Sequence, residues 1–234
     1  LKVVWVMGII GESEALVSKK EISSIEELKG KKVATPFGST SHYHLLLALK
    51  NEGIDPNSVE IFNLSPAGIV SSWKTGQMDA AYVWAPALEE IKKDGNTLIT
   101  SLDLAKNGDP TFDAIAVRED FAKKNPEFLQ KLLQKINDLH ARIGSEKWTK
   151  DSPEVKDISQ FVGASTEDVM SSLNGYEFPL AKKQASEALL GGGLSSALLK
   201  TSKFLKSQDK IRKVQDDYSR FLDPSYAKRI IENK

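Results

Sequence analysis

The sequence contains no cysteine. Disulfides, thiolate metal sites and a cysteine nucleophile are therefore excluded, and the compartment is left open. It also lacks an excess of either charge: Lys+Arg and Asp+Glu each number 32, for a formal net charge of zero. A nucleic-acid partner needs a basic excess or a concentrated basic face, and the short lysine clusters at 19–20, 29–32 and 123–124 are interleaved with acids, as on a solvated surface. No apolar run reaches the roughly 18–20 residues of a membrane span. The first ten residues carry neither a charged leader nor a small-residue cleavage site, so they are not a signal peptide. They read instead as a buried strand, and a chain that opens inside a strand is expected to have lost something upstream.

Histidine is scarce too, with three in the chain. His42 and His44 stand about 200° apart around a helix and cannot share a metal, while His140 is alone in an amphipathic helix. There is no Gly-x-Ser-x-Gly elbow and no Gly-x-Gly-x-x-Gly turn. The Gly191–Gly193 run follows a helical segment rather than a strand. Neither a cofactor, a metal nor a nucleophile–base pair is expected, and the residues favour a binding site over a catalytic one.

Much of what is present alternates. Val3–Ile10, Ala15–Ser18, Val33–Thr35, 58–64, 78–85, 96–101 and 112–119 read as strands. Between them, Ser24 with Glu27 forms a capping-box signature stopped by Gly30, His42–Asn51 is helical up to Gly53, and Ser65 caps a helix with Pro66 in its first position. The segment 87–95 reads as a short helix ended by Gly95. After residue 118 the character changes, and the segments 125–145, 166–175, 195–210 and 223–232 read as helical. Strands alternating with helices imply βαβ units and a mostly parallel α/β sheet, with ligands at the carboxyl ends of its strands.

Four features there carry chemistry. Ser39, Thr40 and Ser41 stand where a helix begins, with no lysine or arginine between Val33 and Ala48. They form either an ordinary cap or an anion site made of N–H and hydroxyl groups. Asp113 opens an apolar strand, where a carboxylate needs a partner: a ligand ammonium, a basic side chain or backbone N–H groups. Glu14 precedes Ala15-Leu16-Val17 and is either an exposed loop acid or a second carboxylate of the same kind. Trp84 shares a strand face with Tyr82 and is either core or a pocket wall able to face a cation.

The run from Ser13 to Asp55, with residues 67–95 and 110–128, resembles the taurine-binding proteins, which are the substrate-binding components of sulfonate ABC importers. The segments at 36–43 and 82–86 point to that branch rather than to nitrate or general alkanesulfonate binders. The resemblance implies a two-lobed type II periplasmic-binding-protein fold, with 33–117 as lobe 2 and 1–32 plus 118–234 as lobe 1. It implies a sulfonate held at Ser39, Thr40 and Ser41, a pocket tryptophan at Trp84, an amine-binding aspartate at Asp113 and a contact at Glu14. It further implies taurine or another aliphatic sulfonate as ligand, a membrane permease as partner, and a periplasmic or outer-face location. Family members begin with a further strand–helix–strand–helix stretch, so lobe 1 is expected to be incomplete. The rivals are an enzyme of the thiamine-pyrimidine precursor synthase group, whose cysteine-rich motif is missing here, and a non-binding fragment.

Overall fold

The computed structural model describes residues 1–232. In chain order it has β1 (Lys2–Ile10), β2 (Glu14–Lys19), β3 (Lys32–Thr35), α1 (Thr40–Asn51), β4 (Glu60–Asn63), α2 (Pro66–Lys74), β5 (Ala80–Trp84), α3 (Ala87–Lys92), β6 (Gly95–Thr100), α4 (Ser101–Lys106) and β7 (Phe112–Val117). There follow α5 (Glu119–Lys124), α6 (Pro126–Ser145), α7 (Pro153–Val162), α8 (Thr166–Asn174), β8 (Tyr176–Glu177), α9 (Ala181–Gln184), α10 (Leu194–Ser207) and α11 (Ser225–Glu232).

The chain forms two compact units, one of residues 1–9, 111–148 and 177–234, the other of 10–110 and 149–176. This differs from the division expected from sequence. Residues 10–32 join 33–110 because β2 pairs antiparallel with both β5 and β6 and so belongs to their sheet. Residues 112–117 leave that group because β7 pairs antiparallel with β1.

The sheet of the second unit has the order β4-β3-β5-β2-β6. Its β3–β4 and β3–β5 pairs are parallel, and β2 runs antiparallel to both neighbours, so four of the five strands run the same way and the sheet is mixed through β2 alone. Its central strands carry apolar runs without polar gaps, at 15–17 of β2, 33–34 of β3 and 80–84 of β5, because helices cover both faces there. Leu16, Val33 and Tyr82 face one way and pack with Leu45, Leu49 and Leu104 of α1 and α4. Their strand neighbours Ala15, Val17, Ala34, Ala81 and Val83 face the other way, onto Ile69, Trp73, Leu88 and Ile91 of α2 and α3.

Three local readings change. Ser24 and Glu27 do not cap a helix; only a short 3-10 turn, Glu26–Leu28, forms there, and the Glu27 carboxylate accepts from the Ser23 N–H at 2.7 Å. Gly95 begins β6 instead of ending α3: a Cβ there would lie 2.5 Å from Val17 Cγ1 and 2.9 Å from the Ile91 carbonyl oxygen, so close approach requires glycine. Helices α4 and α7 lie where no helix is read from the sequence.

In the first unit β1 pairs antiparallel with β7. Val4 and Trp5 pack with Leu129, Leu133, Ala227 and Ile230 of α6 and α11, while Val6 packs with Leu189, Leu190 and Leu222. Gln184 is fully buried, and its amide serves β1 as a further strand would. It accepts from the Val6 N–H at 2.9 Å and donates to the Val6 carbonyl at 2.7 Å.

Candidate functional site

Helix α1 starts where β3 ends. After Thr35 the chain turns through Pro36, Phe37 and Gly38, whose φ of +80° is left-handed and suits glycine. Ser39 is the N-cap: its hydroxyl accepts from the His42 N–H at 3.2 Å and donates to the Pro36 carbonyl at 2.6 Å. The Phe37 N–H is held by Asn63 Oδ1 at the end of β4, and the Phe37 ring stacks on His42 at 4.4 Å.

A helix start leaves four N–H groups without intrahelical partners. Here the Ser39 N–H goes to the Pro36 carbonyl at 3.3 Å and the His42 N–H to the cap hydroxyl. The N–H groups of Thr40 and Ser41 are the two donors of the first turn that the capping contacts leave over. The hydroxyl groups are spent differently. Ser39 donates to Pro36, Thr40 donates to Glu14 Oε2 at 2.6 Å, and the Ser41 Oγ is buried with no partner among the described residues.

Glu14 is not the exposed acid of the simpler reading. It is 1% exposed, and its other oxygen accepts from the Ser101 hydroxyl at 2.9 Å. Register places it directly across from Trp84, and Leu16 across from Tyr82, so all four share the α1 face of the sheet. The structure thus brings Glu14, Ser39, Thr40, Ser41 and Trp84 into one unit, at the carboxyl ends of β3 and β5. Asp113 belongs to the other unit, exposed on β7 opposite Gly8 of β1.

Behind Glu14 lies a polar network that the sequence reading does not contain. His44 is fully buried; its Nδ1 lies 2.8 Å from Ser101 Oγ and 3.6 Å from Glu14 Oε1, and its Nε2 lies 3.0 Å from the Asp109 carbonyl oxygen. The Tyr82 hydroxyl meets Ser101 Oγ at 3.1 Å. Burial, and then the charge of Glu14, hold the Tyr82 phenol well above its ordinary range. Two sequence signals point toward this network. Thr40 and His44 are four apart on one helix face, and Thr100 with Asp103 forms the capping box that starts α4 at Ser101. Among the described residues no group of three or more His, Cys, Asp or Glu is placed to hold a metal, and no helix is long and apolar enough to cross a membrane.

This architecture is that of the type II periplasmic-binding-protein class. The chain superposes on the aliphatic sulphonate binding protein SsuA from Escherichia coli with a TM-score of 0.67 at 21% identity, covering 89% of this chain and 66% of that one. The desulfurization enzyme DszB shares the fold at 12% identity, with a TM-score of 0.69 over 99% of this chain and 79% of that one, so the fold alone does not separate binding from catalysis. Residues 4–155 match the NMT1-like family, and the chain belongs to it. It is also 39% identical over 220 residues to the taurine-binding periplasmic protein of Escherichia coli strain K12. That alignment covers 93% of this chain and 68% of the relative, so the chain spans about two thirds of the relative's length.

Proposed function

We propose that the chain is an extracytoplasmic solute-binding protein that captures taurine or a related small sulfonate and delivers it to the membrane permease of an ABC importer. The observation that carries this reading is the first turn of α1, with two N–H donors left over by capping and no lysine or arginine in the sequence between Val33 and Ala48. A sulfonate is ionised at any physiological pH and offers only acceptors. A helix N-terminus carries roughly half a positive charge, enough to hold such a group without a counter-ion. The 39% identity to a taurine-binding protein supports the same ligand class.

Trp84 serves in this reading as an apolar wall on the α1 face, and Asp113 as the carboxylate that takes the ammonium end of taurine. Glu14 acts through Thr40 rather than by touching the solute, since both of its oxygens are engaged. A charge-assisted bond to an ammonium contributes about 1.5–3 kcal/mol. Asp113→Ala is therefore expected to weaken taurine roughly 10- to 150-fold while leaving ethanesulfonate, which lacks the amine, nearly unchanged. Calorimetric titration decides the matter, and equal losses for both ligands overturn the role of Asp113. Thermal-shift measurements with taurine, isethionate, sulfate and nitrate test the ligand class, because only a solute that binds the folded state raises the melting temperature.

A further inference from the structure

The buried network behind α1 has fewer protons than its acceptors require, and counting them leads to a conclusion that geometry alone carries. The Asp109 carbonyl can only accept, so His44 Nε2 bears a hydrogen. The Tyr82 phenol has one polar neighbour here, Ser101 Oγ, and donates to it. Ser101 then has a single hydrogen for two close neighbours, Glu14 Oε1 at 2.9 Å and His44 Nδ1 at 2.8 Å. If the hydroxyl points at Glu14, Nδ1 faces an oxygen lone pair unless it too is protonated. If the hydroxyl points at Nδ1, the carboxylate faces that lone pair unless Glu14 is protonated. A state with Glu14 ionised and His44 singly protonated leaves two acceptors in contact within a site closed to water, where an unmade hydrogen bond is costly.

We infer that Glu14 and His44 hold one proton between them, relayed by Ser101, and that this keeps the interior behind the first turn of α1 electrically neutral. In either arrangement the pair sums to zero charge, as imidazolium with carboxylate or as imidazole with carboxylic acid. Of the other groups that these contacts bring to the ring, Tyr82 from β5 stays a phenol, the Tyr43 hydroxyl donates to the Asp109 carboxylate at 3.1 Å, and Asp103 of α4 accepts from Thr100.

The consequence falls on the anion site, and it rests on the sulfonate reading above. Glu14 grips Thr40 directly. A bare buried carboxylate at that point would compete with an incoming anion for the same helix N-terminus, and the shared proton removes that opposition. Glu14 and His44 are thus positioning residues that set both the geometry and the charge of the turn.

Two measurements test this. Nuclear magnetic resonance of the ligand-free wild-type protein, with labelled histidine rings and glutamate carboxyls, reads both partners at neutral pH. Imidazolium with an ionised Glu14, or neutral imidazole with a protonated Glu14, supports the inference; neutral imidazole with an ionised Glu14 overturns it. This readout needs no ligand, so it stands even if no sulfonate binds, an outcome that would sink the function proposed above instead. The second measurement is the affinity for ethanesulfonate. His44→Gln is expected to bind about tenfold more weakly than wild type, because it leaves the Glu14 carboxylate without the shared proton. Adding Glu14→Gln restores binding. A loss that Glu14→Gln fails to rescue shows packing alone and overturns the charge role.

Discussion

His140 is buried on α6, with the rings of Trp5 and Phe178 centred 6.2 and 5.4 Å away and its Nδ1 facing the Pro179 carbonyl at 3.2 Å. Burial lowers its affinity for a second proton, and the Pro179 carbonyl only partly offsets that. The folded protein therefore favours neutral His140, while the unfolded chain protonates it near the ordinary histidine value of about 6.5. Below that value the unfolded state binds more protons, so stability falls as the pH drops toward the depressed folded value. The melting temperature of the ligand-free protein is expected to fall between about pH 7.5 and pH 5.5, and His140→Gln is expected to flatten the slope in calorimetric scans. In the sequence His140 stands alone in an amphipathic helix, and the structure packs it into the interior. Glu14 is the opposite case. An acid before three apolar residues is usually exposed, and nothing within ten residues of Glu14 discloses Ser101 and Thr40, which satisfy it from other elements.

At the scale of elements, the ends of helices were the most legible features. Ser65 accepts from the Gly68 N–H at 3.2 Å with Pro66 behind it, and Gly53 and Gly76 are left-handed where they follow α1 and α2. These signals are local chemistry and need no tertiary partner. At Glu26–Leu28 the capping-box signature permits a helix without requiring one: no side-chain cap bond forms at Ile25, and the Glu27 carboxylate turns back to the Ser23 N–H instead. Helix α1 offers a direct test of the anion site. Proline is tolerated in the first turn of a helix and lacks the N–H in question. Thr40→Pro removes both the N–H and the hydroxyl, whereas Thr40→Ala removes only the hydroxyl. Sulfonate affinity is expected to fall about tenfold further in Thr40→Pro than in Thr40→Ala. Identical affinities in titration calorimetry would place the sulfonate elsewhere.

For the whole molecule, composition was informative about charge and silent about strand direction. A β2 that runs against both neighbours looks, residue by residue, like any buried strand, because burial on both faces erases the alternation that marks an antiparallel edge. Its placement depends on pairing with residues 62 to 85 positions later, which local pattern does not encode. Zero net charge has a kinetic corollary. Long-range steering of an anionic solute is weak, so its association rate in stopped-flow experiments is expected to change less than about twofold between low and physiological salt. The interleaving of the two units also sets an order of assembly. Residues 10–110 supply the whole five-stranded sheet, but β1 waits for α6, α11 and the bridge from Val3 to Leu222 before its core can close. During synthesis the sheet can therefore form early, while the strand that precedes it in the chain stays exposed until residues beyond 222 have been made. An apolar strand left waiting in this way is what chaperones and export factors bind.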